Sequence, residues 1–243
     1  MDRAYATTYR ELFERHWWWR AREDVVLQAL RDLRPHRADR KILDIGCGDG
    51  LFFPRLAEFG EVQGVEADAA LVAERGPYRN RIQVGPFDET FQPDQPFDLI
   101  LMLDVLEHLP DPRSSLRHAA TLAAKNAFMV VTVPAFRWLW TEHDRWNQHR
   151  TRYTKRGLRL EAEASGWKVE RAFYFFHWLV LAKLVARARE AASSSRAQPE
   201  VVPSSGVNKA ALGLSRLERR LLGPLRLPVG SSLLAVLSLT AKN

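Results

Sequence analysis

From Lys41 to Pro134 the chain alternates short apolar runs with amphipathic ones, and this alternation restricts the fold more than any other feature. KILDI (41–45), VQGVE (62–66), RIQV (81–84), FDLILML (97–103) and AFMVVTV (127–133) read as strands. Helical stretches fall between them, over about Asp49 to Phe59, Asp68 to Arg75 and Pro112 to Ala124. Apolar strands separated by helices are the pattern of βαβ units, whose parallel sheet is covered on both faces. Upstream, Arg3 to Leu33 is rich in helix formers and predicts one or two helices ending before Pro35. Downstream of Pro134 an aromatic and basic stretch precedes a helix over Lys155 to Ala164 and a strand, WKVERAFYF (167–175). A Ser/Pro-rich segment, 190–206, predicts a mobile loop, followed by a helix from Val207 to Leu222 and a last strand within GSSLLAVLSL (230–239).

The first strand breaks into Gly46-Cys47-Gly48-Asp49-Gly50, at the place where open parallel sheets bind ligands, beyond the carboxyl ends of their strands. A dinucleotide fingerprint wants glycine at its first, third and sixth positions. Gly46 and Gly48 fit, but the sixth position is Leu51. Charge argues further against a diphosphate, which binds unpaired N–H donors at a helix N-terminus. Asp44 and Asp49 place carboxylates there, and a close like-charge pair costs ~4 kcal/mol at a surface-like dielectric. The same acids favour a cationic ligand, so an oxidoreductase is the weakest reading.

Asp44 to Gly50 resembles the D-x-G-x-G-x-G motif of class I S-adenosylmethionine-dependent methyltransferases. The resemblance implies that the Gly46-Cys47-Gly48-Asp49-Gly50 backbone approaches the methionine part of that cofactor and that Asp44 orients it. Glu66, 22 residues after Asp44, ends the next strand, where the family places a carboxylate on the ribose hydroxyls, with Ala67 beside it. In IQVGPFDETF, at the adenine position, Pro86 follows Gly85, which leaves the contact open between stacking on Phe87 and hydrogen bonding to Asp88. FDLILMLDVLEHLPDP (97–112) resembles the family's fourth-strand motif, with Leu103 and Asp104 toward the cofactor and Glu107 and His108 facing the methyl group. The implied fold is α/β and Rossmann-like: a seven-stranded, mostly parallel sheet with an antiparallel last strand, a helical N-terminal cover and a C-terminal helical insertion. The implied organisation is a single domain with its cover at 1–40, the cofactor-binding core at 41–134 and the substrate side at 135–243.

Methyl transfer is an in-line displacement in which the protein aligns the reactants and excludes water. A general base adds ~10²–10⁴-fold, and histidine suits that role at neutral pH. His108, His143 and His149 are the candidates. Asp104-x-x-Glu107-His108 with a later histidine also resembles the metal-binding set of small-RNA 2′-O-methyltransferases and ubiquinone-pathway O-methyltransferases. A divalent metal is compatible with these residues but not favoured, because the first acid is Asp104 where those families have Glu. In Trp17-Trp18-Trp19 consecutive helical positions point ~100° apart, so three rings cannot share one face. Trp18, Trp138, Trp140, Arg150 and Tyr153 are the candidate walls of an acceptor pocket. HWWWRAR and the H-D…H-R-x-R-Y-T pattern resemble a bacterial subgroup of these enzymes.

Residues 150–243 hold 17 Lys+Arg against 6 Asp+Glu, in a chain of net charge +7. Such a half suits an anionic substrate, nucleic acid or an acidic membrane surface. No N-P-P-Y or D-P-P-Y follows the fourth strand and no RNA-binding module is appended, which disfavours nucleic acid. The expectation is O-methylation of a small-molecule or lipid-like acceptor, with peripheral membrane contact compatible. Nucleic-acid methylation and cofactor binding without chemistry are the alternatives. The single cysteine, Cys47, excludes an internal disulfide, and the charged N-terminus lacks a signal peptide's apolar region. The apolar stretch Ala172 to Ala186 includes His177 and Lys183 and falls short of the ~20 residues that span a bilayer. A cytoplasmic location is expected.

Overall fold

A computed structural model describes residues 3–33, 39–192 and 201–240, and in it the alternating runs form one seven-stranded sheet. The strands are β1 (Lys41–Ile45), β2 (Glu61–Glu66), β3 (Ile82–Val84), β4 (Phe97–Leu103), β5 (Ala123–Pro134), β6 (Trp167–Phe175) and β7 (Ser232–Leu239). Their order is β3-β2-β1-β4-β5-β7-β6, with β7 antiparallel to both its neighbours and the other pairs parallel, as expected. The helices are α1 (Arg3–Arg15), α2 (Trp17–Arg31), α3 (Phe53–Leu56), α4 (Pro112–Leu122), α5 (Glu142–Trp146), α6 (Lys155–Glu163), α7 (Trp178–Ala192) and α8 (Ser205–Leu222).

Strand side chains alternate between two faces. Ile42, Leu99, Leu101 and Val130 join the core under α2 and α8, while Leu43, Ile100, Met102 and Val131 join the core under α4 and α6. Both faces are apolar because both are covered, which is why the central strands are unbroken hydrophobic runs. The three tryptophans find three surroundings. Trp17 packs on Phe176 and Trp178, with ring centroids 5.9 and 5.2 Å away. Trp19 packs on Tyr9 of α1 at 5.3 Å, and Trp18 lies edge-on to Trp19, also at 5.3 Å.

Several expected elements are shorter or longer than the sequence suggests. The helix expected over Asp49 to Phe59 is only the four residues of α3, because Gly50 adopts φ +69° and Pro54 lacks an N–H. Over Asp68 to Arg75 there is a single 3-10 turn, Ala69–Leu71. The Ala73 N–H that would continue it donates instead to Asp49 Oδ1 at 2.9 Å. β5 starts at Ala123, four residues before the expected strand, across an irregularity opposite Phe97 and Leu99. At the Ser/Pro-rich segment, α7 runs to Ala192 and α8 starts at Ser205, so the expected loop is shorter at both ends. Its residues 193–200 lie outside the described residues. Among the described residues no helix is long and apolar enough to cross a membrane.

Gly64 of β2 sets how closely that strand passes the turn after β1. A Cβ there would overlap Cys47 Sγ and approach Phe53 Cζ to 2.8 Å. Gly64→Ala is expected to lower stability by about 1–3 kcal/mol, the usual cost of overpacking a closed core. Chemical denaturation checks this, and an unchanged midpoint would show that α3 yields freely.

Candidate active site

The parallel strands end together, and their carboxyl ends bring the acids of three loops to one edge. After β1 the chain turns through Gly46, Gly48 and Gly50, at φ +73°, +54° and +69°. A side chain on Gly46 would meet Val105 Cγ2 at 2.6 Å, so that turn has room only for glycine. Glu66 at the end of β2 braces it: Oε2 accepts from Gly48 N and Oε1 from Asp68 N, both at 2.9 Å. Asp104, after β4, holds φ +57°, a conformation uncommon outside glycine and typical of over-determined functional positions. Its carboxylate accepts from Thr132 Oγ1 at 3.1 Å and is ion-paired with Arg22 of α2.

Asp44 lies beneath this turn, 4% exposed. Burial raises its carboxyl to about 7, opposed by the Arg22 charge and reinforced by Glu66. A carboxyl raised on folding contributes stability that is complete below its ordinary value near 3.9 and is lost as pH rises through about 7. At neutral pH the Asp44 carboxyl is therefore only partly ionised, and a ligand that brings positive charge would favour its ionised form. Cys47 is a buried wall of the turn, its thiol pushed far up by burial and then by the Asp44 and Glu66 charges, and is unreactive. α1 covers the turn: Tyr9 Cε1 lies 3.1 Å from where a Gly48 side chain would begin, and Arg10 is ion-paired with Asp49. The exposed Ala67 and half-buried Leu103 flank the acids. Phe87 stacks obliquely on His118 at 4.8 Å, and Asp88 is turned to Thr90, accepting from its N at 2.9 Å and its Oγ1 at 2.7 Å.

Beyond Asp104 the structure gathers Glu107, His108 and His149, whose ligand atoms lie within 4.8 Å of one another. Glu107 is 1% exposed, and neither of its carboxylate oxygens has a hydrogen-bond partner. Burial, and then the Asp104 charge, hold it protonated far above the ordinary range. His108 sits at the surface of this cluster, its ring lowered to about 4 by desolvation and by His149. His149 Nδ1 lies 2.8 Å from Asp144 Oδ1. Asp144 is fully buried and also accepts from Arg152 Nε at 2.8 Å, Arg152 Nη2 at 3.0 Å and Thr141 N at 2.9 Å. With that carboxylate ionised, Nδ1 carries the proton and Nε2 is left as the basic atom.

The other expected site residues fall elsewhere. His143 is outside the cluster, with Nε2 2.9 Å from Asn147 Nδ2. Arg150 ties the loops together, N to Glu107 O at 2.7 Å and Nε to His108 O at 3.1 Å. Tyr153 is buried, and its hydroxyl donates to Leu106 O at 3.2 Å. Trp138 is 44% exposed beside Phe136, Trp140 is half-buried, and Trp18 faces the Arg22 guanidinium at 5.7 Å. Sequence reasoning missed Tyr9, Arg22 and Asp144. Arg22 had a signal: it lies three and four residues after Trp19 and Trp18, on the same helix face.

Burial alone would raise the Asp144 carboxyl, but the hydrogen bonds from His149 and Arg152 and the Arg152 charge outweigh it and hold it far below the usual range. Its stabilisation is complete above the ordinary value near 3.9 and drains only below that, in strong acid. Asp144→Asn leaves Arg152 buried without its counter-charge, so a loss of about 3–5 kcal/mol is expected, with a shallower fall in stability below pH ~4. Denaturant titrations across acid pH test this. Equal stabilities would mean that Arg152 finds another anion.

A family profile described as "Methyltransferase domain" matches residues 18–172, more than half of the chain. The ubiquinone biosynthesis O-methyltransferase of Stutzerimonas stutzeri is 30% identical over 137 residues, covering 50% of this chain and 59% of that relative. The chain thus spans little more than half the length of that relative. Two solved structures share the fold. One is in the complex between the Haloferax volcanii Trm112 methyltransferase activator and its methyltransferase, at TM-score 0.62 and 16% identity, covering 99% of this chain and 96% of that one. The other is a SAM-dependent methyltransferase from Archaeoglobus fulgidus, at TM-score 0.54 and 17% identity, covering 89% and 94%. The sheet order, the glycine cradle and the extended profile match together place this chain in the methyltransferase-domain family.

Proposed function

We propose that the chain transfers a methyl group from S-adenosylmethionine to an oxygen atom of a small-molecule or lipid-like acceptor. The observation that carries the reading is the buried, proton-holding Asp44 beneath three left-handed glycines, because it selects a ligand that brings positive charge. The residues fit such a ligand. The Gly46 position would be filled by any Cβ, and Glu66 stands at the adjoining strand end with each oxygen retaining a lone pair. When bound, the cofactor supplies an electrophilic methyl group on a cationic sulfur. Asp44 and the turn orient it, and α1 with Tyr9 excludes water. His149, braced by Asp144, takes the acceptor's proton at Nε2.

A second reading uses a divalent cation, and the partnerless Glu107 carboxylate favours it. Glu107, His108 and His149 would hold the ion, a mixed carboxylate and imidazole set suited to magnesium or manganese. A bound ion there would polarise the acceptor hydroxyl.

Two predictions follow from these roles. A cation stabilises ionised Asp44, so S-adenosylmethionine binding should tighten as pH rises through about 7 and release protons. Asp44→Asn should abolish both effects in calorimetry. Preference for NADH over S-adenosylhomocysteine would sink the methyltransferase reading. With an acceptor in hand, His149→Ala should lower kcat about 10²–10⁴-fold while cofactor affinity holds. Full activity after exhaustive chelation would leave His149 as the base. A Tm raised by Mn²⁺ in the native protein, and not in Glu107→Gln, would establish the metal reading instead.

A further inference from the structure

Of the twelve large apolar side chains exposed among the described residues, nine lie between Leu181 and Leu225, which is clustering rather than scatter. Helix α8 carries four of them and α7 three. The inner face of α8 carries Leu212, Ser215 and Glu218 and is locked to the body. Ser215 Oγ accepts from Trp178 Nε1 at 3.1 Å, Glu218 accepts from Trp178 N at 2.7 Å, and Arg216 pairs with Asp24 at 2.7 Å. With ~100° between successive residues, Val207, Leu214, Leu217 and Leu221 fall on one arc of about 80° beside that inner face. They are 45–60% exposed. α7 repeats the pattern with Leu181, Leu184 and Val185, 69%, 41% and 51% exposed.

Positive charge rims both stripes. Residues 178–226 contain nine Lys+Arg against three Asp+Glu, an excess of six in a chain whose net charge is +7. Glu218 is buried and already bonded, so it offsets little of this at the surface. Arg187, Arg189, Lys209 and Arg220 are exposed. A leucine stripe flanked by basic residues on a helix too polar to span a bilayer is the chemistry of an interfacial helix. A second copy would have to appose two faces of the same strong positive sign, which opposes association. Nucleic acid would engage the arginines and leave the leucines in water.

We infer that the outer faces of α7 and α8 dock this protein on an anionic lipid bilayer, the leucines entering the interface and the basic rim meeting the headgroups. The inference does not rest on the methyl-transfer reading. The test is co-sedimentation of the full chain with phosphatidylcholine vesicles, with and without phosphatidylglycerol. Binding should be strong only with the anionic lipid and weaken with salt. Leu214→Ser with Leu217→Ser and Leu221→Ser should reduce it about tenfold or more, and so should Lys209→Gln with Arg189→Gln and Arg220→Gln. Cofactor affinity and thermal unfolding report whether each variant stays folded. No binding to anionic vesicles at low salt would overturn the inference. So would a dimer in sedimentation velocity that the serine variant dissociates, or tighter capture by RNA that survives the serine substitutions.

Discussion

The fold is organised around one electrostatic difficulty: a carboxyl group at the end of the central strand that burial makes hard to ionise, raising it to about 7. Asp44 is on β1, which runs between β2 and β4, so no route to water opens beside it. The parallel alignment then brings Glu66 to the same edge and adds a second negative charge. The glycine turn above supplies backbone N–H groups, one of which is taken by Glu66. Arg22 alone opposes the tension, and it is already committed to Asp104. A site with surplus negative charge and a short supply of compensation is poised for a cation. That poise comes from strand order, not from any single residue.

Arg22 shows how the N-terminal helices serve the sheet. A guanidinium this buried needs both a counter-charge and a shaped apolar surround. Asp104 gives the first, and Trp18 and Trp19 give the second, with ring centroids 5.7 and 5.4 Å from the guanidinium carbon. Three successive tryptophans are thus not redundant. Trp17 anchors α2 to the Phe176 and Trp178 side, Trp19 receives α1, and the pair Trp18 and Trp19 walls the charge. Removing the first would unseat the helix, while removing either of the others would loosen the arginine that holds the β4 loop.

Most of the sheet was legible because a strand buried on both faces must be an unbroken apolar run, whatever its neighbours. The cradle was legible for a related reason: backbone at positive φ writes itself into the sequence as glycine. Elements decided by distant partners were not legible. The helix expected at Asp68 to Arg75 has suitable residues, yet Asp49 takes the Ala73 N–H and ends it after one turn. Asp144 stood in the quoted H-D…H-R-x-R-Y-T pattern, but nothing in that pattern marked it as buried. It is one acid among many in the sequence, and its burial with Arg152 depends on a loop folding back from Thr141 to Tyr153. Tyr153 read as a pocket residue because it lies with His149 and Arg150 in the segment that follows the fifth strand. Its hydroxyl is instead spent on Leu106, holding that loop against the β4 end.

The contrast between Asp144 and Glu107 supports the proposed placing of the chemistry beside His149. Both are buried acids close to His149. Asp144 is saturated by three side chains and a backbone amide, which fixes it as an ionised structural hub. Glu107, a short distance across the imidazole, has neither oxygen satisfied. Native interiors rarely leave a buried carboxyl in that condition, since doing so costs the full desolvation of the group. The expense is tolerable where a transient partner repays it. His149 lies close to both the satisfied acid and the unsatisfied one, with its tautomer set by the first. The reactive position proposed for the fold is therefore the boundary where hydrogen bonding runs out, one loop beyond the cradle.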